Sequence, residues 1–275
     1  MLSLFVVLSL IFAAVLVQGT VSFVSLRALW VFPLAAVGAF LALLLLFLLV
    51  FLVAGLLADP NRPQEKASRF HRFLLCQFSR IALTLGGAHL HVTGLEKLPK
   101  DGRFLLVSNH NSIFDPVLFY NVMPRAELAF IAKKEAFGYF LVGGYLRKTL
   151  GLPVDRENDR EALKSILQAI QNIREDKASY AIFPEGKCNE TGELLLPYRS
   201  GAFKIAQKTG IPIVICCIAG TRYIKKQMFL KRTDLYLDVL DVIPAGEVIG
   251  HTTVELAART HPVMLAGLEA QKEHF

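Results

Sequence analysis

The chain has 275 residues, 53% hydrophobic and only 19% charged, with a net charge of +7 and a mean hydropathy of +0.45. That apolarity excludes a disordered chain, and the charge is too unevenly placed for an ordinary soluble protein, because Arg27 is the only charged residue in positions 1–58. Beyond residue 58 the composition is that of a normal globular domain, and its modest positive balance suits an anionic bilayer or a phosphorylated ligand at least as well as nucleic acid.

Residues 1–26 and 28–58 are uncharged, and each exceeds the roughly 20 residues that span a bilayer core as a helix. Between them, Arg27, Trp30 and Pro33 fall within seven residues and read as a turn at an interface. Two membrane helices are predicted, at 2–25 and 34–57, forming a hairpin domain over 1–58. A cleaved signal peptide fits less well, since there is no basic leader and the first apolar run is too long. A hairpin dipping into one leaflet competes with full spanning, so both integral and monotopic attachment stay open. Arg62, Lys66, Arg69, Arg72 and Arg80 follow the second run. The positive-inside rule then places residues 59–275 in the cytoplasm, anchored to the cell membrane. In 66–85, Phe70, Phe73, Leu74, Phe78, Ile81 and Leu85 recur at spacings of three and four. This predicts a helix lying on the membrane surface or one packed on the core.

Beyond it, β-like runs at 89–93, 103–108, 128–132, 151–154, 179–183, 211–218 and 234–242 alternate with helical stretches. The helices are predicted at 115–123, 135–148, 158–175, 199–209 and 251–272. Asn158 reads as a cap, and Gly210 as a helix stop. The alternation predicts an α/β domain with a mixed or parallel sheet flanked by helices. Cys76, Cys188, Cys216 and Cys217 form no CxxC pair, in keeping with a reducing compartment and no disulfide framework. His89 and His91 alternate as on a strand, with no Cys or carboxylate nearby in sequence, and read as structural or surface residues. No metal site is expected, and no P-loop or dinucleotide-binding glycine pattern occurs.

In such sheets ligands gather at loops after strand ends, which directs attention to three loops. The first runs Ser108-Asn109-His110-Asn111-Ser112-Ile113-Phe114-Asp115-Pro116. A turn of that length can fold the Asp115 carboxylate onto the His110 imidazole, fixing its tautomer and leaving the other nitrogen as a general base. Ser112 reads as a polar residue at a helix start. Backbone N–H groups at that helix start are the expected donors to an oxyanion. The second loop, Val154-Asp155-Arg156, delivers a guanidinium suited to a phosphate or carboxylate. The third, Phe183-Pro184-Glu185-Gly186-Lys187, has a glycine that lets backbone approach a ligand.

Taken in order, Asn109-His110-(four residues)-Asp115 (an HX4D motif), Val154-Asp155-Arg156, Phe183-Pro184-Glu185-Gly186 and Ile211-Pro212-Ile213-Val214 behind an anchor resemble the glycerolipid acyltransferases. The likeness is strongest to the 1-acyl-sn-glycerol-3-phosphate (lysophosphatidic acid) acyltransferase family, over residues 60–245. Ala132-Lys133-Lys134-Glu135-Ala136-Phe137 and Pro197-Tyr198-Arg199-Ser200-Gly201-Ala202 support it. The resemblance implies His110 as base and Asp115 as its partner. It implies substrate contacts from Asn109, Lys133, Arg156, Glu185, Gly186, Lys187 and Arg199, and no cofactor. The implied reaction moves a fatty acyl group from a thioester, acyl-CoA or acyl carrier protein, to the sn-2 hydroxyl of lysophosphatidic acid, giving phosphatidic acid. The implied partners are membrane lipids and the thioester carrier, not nucleic acid. The sequence departs from the family after Glu185-Gly186. Family members usually continue Thr-Arg-Ser, whereas this chain reads Lys187-Cys188-Asn189, so Lys187 stands in as a point charge without bidentate geometry. Other lysophospholipid acceptors, or a non-catalytic lipid-binding protein, are the competing functions. A lipid hydrolase would need a Gly-x-Ser-x-Gly elbow, which the chain lacks.

Overall fold

The structure, a computed structural model, describes residues 1–21, 25–155, 158–228 and 230–272, and of Asp159 the backbone alone. It divides into two compact units, Met1–Leu57 and Ala58–Phe275.

The first unit is a pair of helices, α1 (Leu2–Thr20) and α2 (Ala28–Leu56). Both are long and apolar enough to cross a membrane. Their seam has helical spacing: Phe5, Ser9, Ala13 and Val17 are the buried residues of α1. Phe5 meets Phe47 of α2 edge-on, with ring centroids 6.3 Å apart. The predicted interfacial turn is displaced. Helix α2 already begins at Ala28 and contains Pro33, so Trp30 and Pro33 lie within it. A proline this early in a helix removes a single backbone bond, which a long apolar helix tolerates.

In the second unit the elements in chain order are α3 (Arg69–Leu85), β1 (Ala88–Thr93), β2 (Leu105–Ser108), α4 (Asp115–Val122), β3 (Leu128–Lys133), α5 (Val142–Lys148) and β4 (Leu152–Val154). They continue with α6 (Asp159–Arg174), β5 (Ser179–Ile182), α7 (Lys204–Thr209), β6 (Ile213–Ala219), α8 (Thr221–Gln227), β7 (Thr233–Ile243), α9 (Ala245–Val248) and α10 (Thr253–Ala270). All seven strands fall where the apolar runs put them. They form one sheet in the order β1-β7-β6-β2-β5-β3-β4, with every neighbouring pair parallel except β6 and β7. Both faces are covered, which is why strands such as Ile213–Ala219 read as continuous apolar runs. Leu105, Val107, Ile213, Ile215 and Cys217 point into a core with residues of α6, α7 and α10. Leu106, Val214, Cys216 and Ile218 point into a second core with residues of α3 and α4.

Three predicted helices are modified. Residues 135–148 break into a 3-10 turn, Lys134–Gly138, and α5. Between them Leu141 takes a positive φ (62) at the centre of a three-residue turn closed by the Val142 N–H on the Phe140 carbonyl, and Gly143 packs so closely that a Cβ would lie 1.9 Å from the Phe137 carbonyl oxygen. The start of 199–209 is likewise a 3-10 turn, Ser200–Phe203. Helix α3 buries Leu74, Cys76, Ile81 and Leu83, yet leaves Phe70 and Phe73 about half exposed. The predicted apolar stripe is rotated because Arg72 is drawn inward, its Nη1 donating to the Leu128 carbonyl at 2.9 Å. The short helices α8 and α9 were not anticipated, since four to seven residues hold too little periodicity to register.

Gly94, after β1, has φ +73, and a Cβ there would sit 2.3 Å from the backbone oxygen of Val239. Gly94→Ala is expected to destabilise the domain by about 2 kcal/mol or more, a Tm drop of about 4–8 °C for a domain of this size. Thermal unfolding of the variant against the parent chain measures it.

Candidate active site

The central strand β2 lies between β6 and β5, and the loops leaving β2, β5 and β6 meet at their C-terminal ends. Asn109 fixes the first loop. Its Nδ2 donates to the Ile218 carbonyl and its Oδ1 accepts from the Ile218 N–H, both at 2.8 Å, so one buried amide continues the ladder between β2 and β6. Asn111 adds a third bond, from Nδ2 to the same carbonyl at 3.1 Å.

Asp115 opens α4 and is fully buried. Its Oδ2 faces His110 Nδ1 at 2.8 Å and accepts the backbone N–H groups of Asn111 (2.7 Å) and Ser112 (2.9 Å). Its Oδ1 accepts the Thr221 hydroxyl at 2.5 Å. The anticipated fold-back of Asp115 onto His110 is present in the structure. Of the anticipated oxyanion donors near that helix start, four are already engaged. At that helix start the N–H groups of Asn111 and Ser112 already serve Asp115, that of Phe114 serves the Ser112 hydroxyl, and that of Asp115 serves the Ser112 carbonyl.

The loop after β5 packs on the other side of His110. Phe183 stacks on the imidazole with centroids 4.2 Å apart and planes 13° from parallel. The nearly buried Glu185 accepts the His110 N–H at 2.6 Å and the Leu196 N–H at 3.0 Å, and Asn189 donates its N–H to the His110 carbonyl at 2.7 Å. Burial raises the Glu185 pKa, against the pull of those two N–H bonds. Cys188 Sγ lies 3.0 Å from His110 Nε2, the nitrogen a base would use.

The other predicted site residues separate into groups. Gly186 (φ +75) lies under the side chain of Arg199: a Cβ would come within 3.1 Å of Arg199 Nε. With the exposed Lys187 and Arg199, this makes a cationic corner beside Cys188. Glu185 and Asn109 have their side-chain polar atoms hydrogen-bonded to backbone. Lys133 ends β3, its Nζ 5.4 Å from the Tyr139 ring centre, two strands from β2. Arg156 falls outside the described residues.

Sequence reading missed Thr221 and Arg222. Arg222 Nη2 reaches Asn111 Oδ1 at 3.2 Å. The signal was available: Gly220-Thr221-Arg222 follows strand β6, a fourth strand-end loop of the same kind as the three inspected.

Comparisons with known proteins bear on the family and the fold. A family model described as Acyltransferase matches residues 89–219. The chain is 30% identical to the 1-acyl-sn-glycerol-3-phosphate acyltransferase of Haemophilus influenzae, covering 61% of this chain and 71% of that protein. It is 26% identical to the protein of the same name from Salmonella typhimurium, covering 76% and 82%. The crystal structure of the 1-acyl-sn-glycerophosphate (LPA) acyltransferase from Thermotoga maritima superposes with a TM-score of 0.61 at 23% identity, over 81% of this chain and 88% of that one, and so shares the fold.

Burial opposes a charge on His110, but its bonds to Asp115 and Cys188 outweigh that opposition and raise its pKa to about 9. A raised pKa means the pairing contributes its full stability below the unfolded value of about 6.5 and loses it as pH rises towards about 9. The Tm difference between the parent chain and His110→Gln should therefore be largest near pH 6 and shrink between pH 6.5 and 9. Unfolding scans across that range test it, and a difference that grows with pH would contradict the pairing.

Proposed function

The chain belongs to the 1-acyl-sn-glycerol-3-phosphate acyltransferase family, and from that premise we propose that it acylates the free sn-2 hydroxyl of lysophosphatidic acid, giving phosphatidic acid. The observation that carries this reading is the His110–Asp115 pair, whose Nε2 faces the Cys188 sulfur at 3.0 Å beside the cationic corner of Lys187 and Arg199. In the proposed step the acceptor hydroxyl takes the place of the Cys188 thiol. Its oxygen attacks the thioester carbonyl as its proton passes to Nε2. The carbon–sulfur bond then breaks, and the leaving thiolate takes the proton back. Asp115 holds the Nδ1–H tautomer and stabilises the imidazolium.

Charge complementarity supports the assignment of the acceptor. Lys187 and Arg199 offer a phosphate monoester two cations, with Arg222 beside Asn111 as a third. These side chains can also stabilise the developing oxyanion, since four of the N–H groups at the start of α4 are engaged. Neither acyl-CoA nor acyl carrier protein is distinguished by this arrangement, since both are acidic thioester carriers. The apolar pair α1 and α2 gives the enzyme an anchor in the bilayer that holds its substrate and product. The catalytic unit then lies on the cytoplasmic side by the charge rule, and lipid is acylated without transfer of a chain into water.

One observation favours a second route. Cys188, His110 and Asp115 form a thiol–imidazole–carboxylate series, so Sγ could take the acyl group first and pass it to the acceptor. The two routes differ kinetically.

Purified protein with lysophosphatidic acid and labelled acyl thioester should form phosphatidic acid. His110→Ala should lower kcat by about 10²–10⁴-fold while the protein stays folded; parent-like turnover would refute the assignment of the base. Cys188→Ala should stay active and shift the alkaline-rising limb of kcat/KM to lower pH, because one of the bonds that raise the His110 pKa is gone. Intersecting initial-rate plots are expected. Parallel plots, together with an acyl adduct on Cys188 seen by mass spectrometry, would select the covalent route.

A further inference from the structure

His89 and His91 stand two residues apart on edge strand β1, so their side chains leave the same face of the sheet. Asp234 is the register partner of His89 on β7 and shares that face. The three side chains converge on one point. His91 Nε2 lies 2.8 Å from Asp234 Oδ1 and 3.0 Å from His89 Nδ1, and His89 Nδ1 lies 3.4 Å from the same oxygen. Tyr236, the next residue on that face of β7, stacks on the His91 ring at 4.5 Å between centroids and 12° between planes. Two paired strands and an aromatic platform therefore hold the geometry.

Hydrogen bonding leaves this triangle one favourable proton placement. With neutral imidazoles, a proton on His91 Nε2 is the only placement that faces both other atoms. A proton on His89 Nδ1 leaves the lone pairs of His91 and Asp234 opposed at 2.8 Å. With both rings protonated, two N–H groups face each other at 3.0 Å. A divalent cation meets three lone pairs without conflict. A triangle with these edges has a circumradius below the ~2.1 Å bond length of such metals to imidazole nitrogen and carboxylate oxygen. A point at bonding distance from all three atoms therefore exists just off their plane.

We propose that His89 Nδ1, His91 Nε2 and Asp234 Oδ1 bind a first-row divalent metal of the zinc type. Two imidazoles and one carboxylate suit zinc, cobalt or nickel better than magnesium or calcium. The side chains of His89, His91 and Asp234 are 50%, 38% and 39% exposed, which leaves room for water at the remaining positions. Arg232 Nη2 also contacts Asp234 Oδ1, at 3.2 Å, and on binding it moves to the second carboxylate oxygen. The metal would clip the edge strand β1 to β7 across a gap of 143 residues in the sequence. That separation is why His89 and His91 look unaccompanied when the chain is read linearly. The proposal does not depend on the acyl-transfer chemistry.

The test uses the full chain in detergent, free of any affinity tag, with Cys188→Ser in every sample to remove the thiol beside His110 as a competing ligand. Cobalt(II) should bind at one equivalent with visible ligand-field absorption that zinc displaces. Zinc at about a hundred times its Kd should raise Tm by several degrees. His91→Ala and Asp234→Asn should each weaken binding at least tenfold and abolish the rise. His89→Gln serves as a second variant should either of these fail to unfold cooperatively. No binding at about 100 μM metal, or unchanged stoichiometry and Tm rise in the variants, would overturn the proposal.

Discussion

The site is organised around one buried negative charge. Asp115 has no exposed surface, so its carboxylate must be compensated within the protein or the loop will not hold. It is compensated four times, by the imidazole of His110, two backbone N–H groups and the hydroxyl of Thr221. Each partner belongs to a segment whose position matters. The two N–H groups set the curl of the loop after β2. The imidazole is placed with Nδ1 inward and Nε2 outward. Thr221 ties the start of α4 to the end of β6. A neutral amide at 115 would keep the size of the side chain and lose the charge that draws these donors together.

A second layer of restraint acts on backbone. Glu185 reaches from the loop after β5 to the His110 N–H, and Asn189 returns a bond to the His110 carbonyl. On the other flank the Asn109 amide mimics a strand residue against Ile218. His110 is thus held by its own peptide groups as well as by its side chain. This fits the role proposed for it as a base, whose position has to be set within about 0.5 Å.

Much of this was legible in the sequence for a physical reason. Strands buried on both faces must be continuous apolar runs, so Leu105–Ser108 and Ile213–Ala219 announce themselves, and the loops after them are where a parallel sheet exposes chemistry. His110 and Asp115 are close enough in sequence for their pairing to be foreseen. Other features depend on partners distant in the chain. The roles of Asn109 and Glu185 turned on backbone groups at Ile218 and Leu196. Helix α3 rotated because Arg72 found a carbonyl at Leu128, which no hydrophobic periodicity encodes. Cys188 read as a lost arginine, and only the folded loop brings its sulfur against Nε2.

The cross-link from Glu185 to the His110 backbone divides the site into parts with different freedom to vary. Everything that sets the proton-transfer geometry is tied to β2, β5 and β6, and through them to both cores. The cations beside it, Lys187 and Arg199, are exposed and sit at the two ends of the segment 187–199, whose middle is solvent-facing at Glu190, Thr191, Gly192 and Glu193. A charge change at Glu190 touches none of the bonds to His110, whereas Asn189, in the same segment, holds the His110 carbonyl. A lineage could therefore exchange one headgroup for another by editing a single surface loop, keeping the same catalytic machinery while the lipid it serves changes.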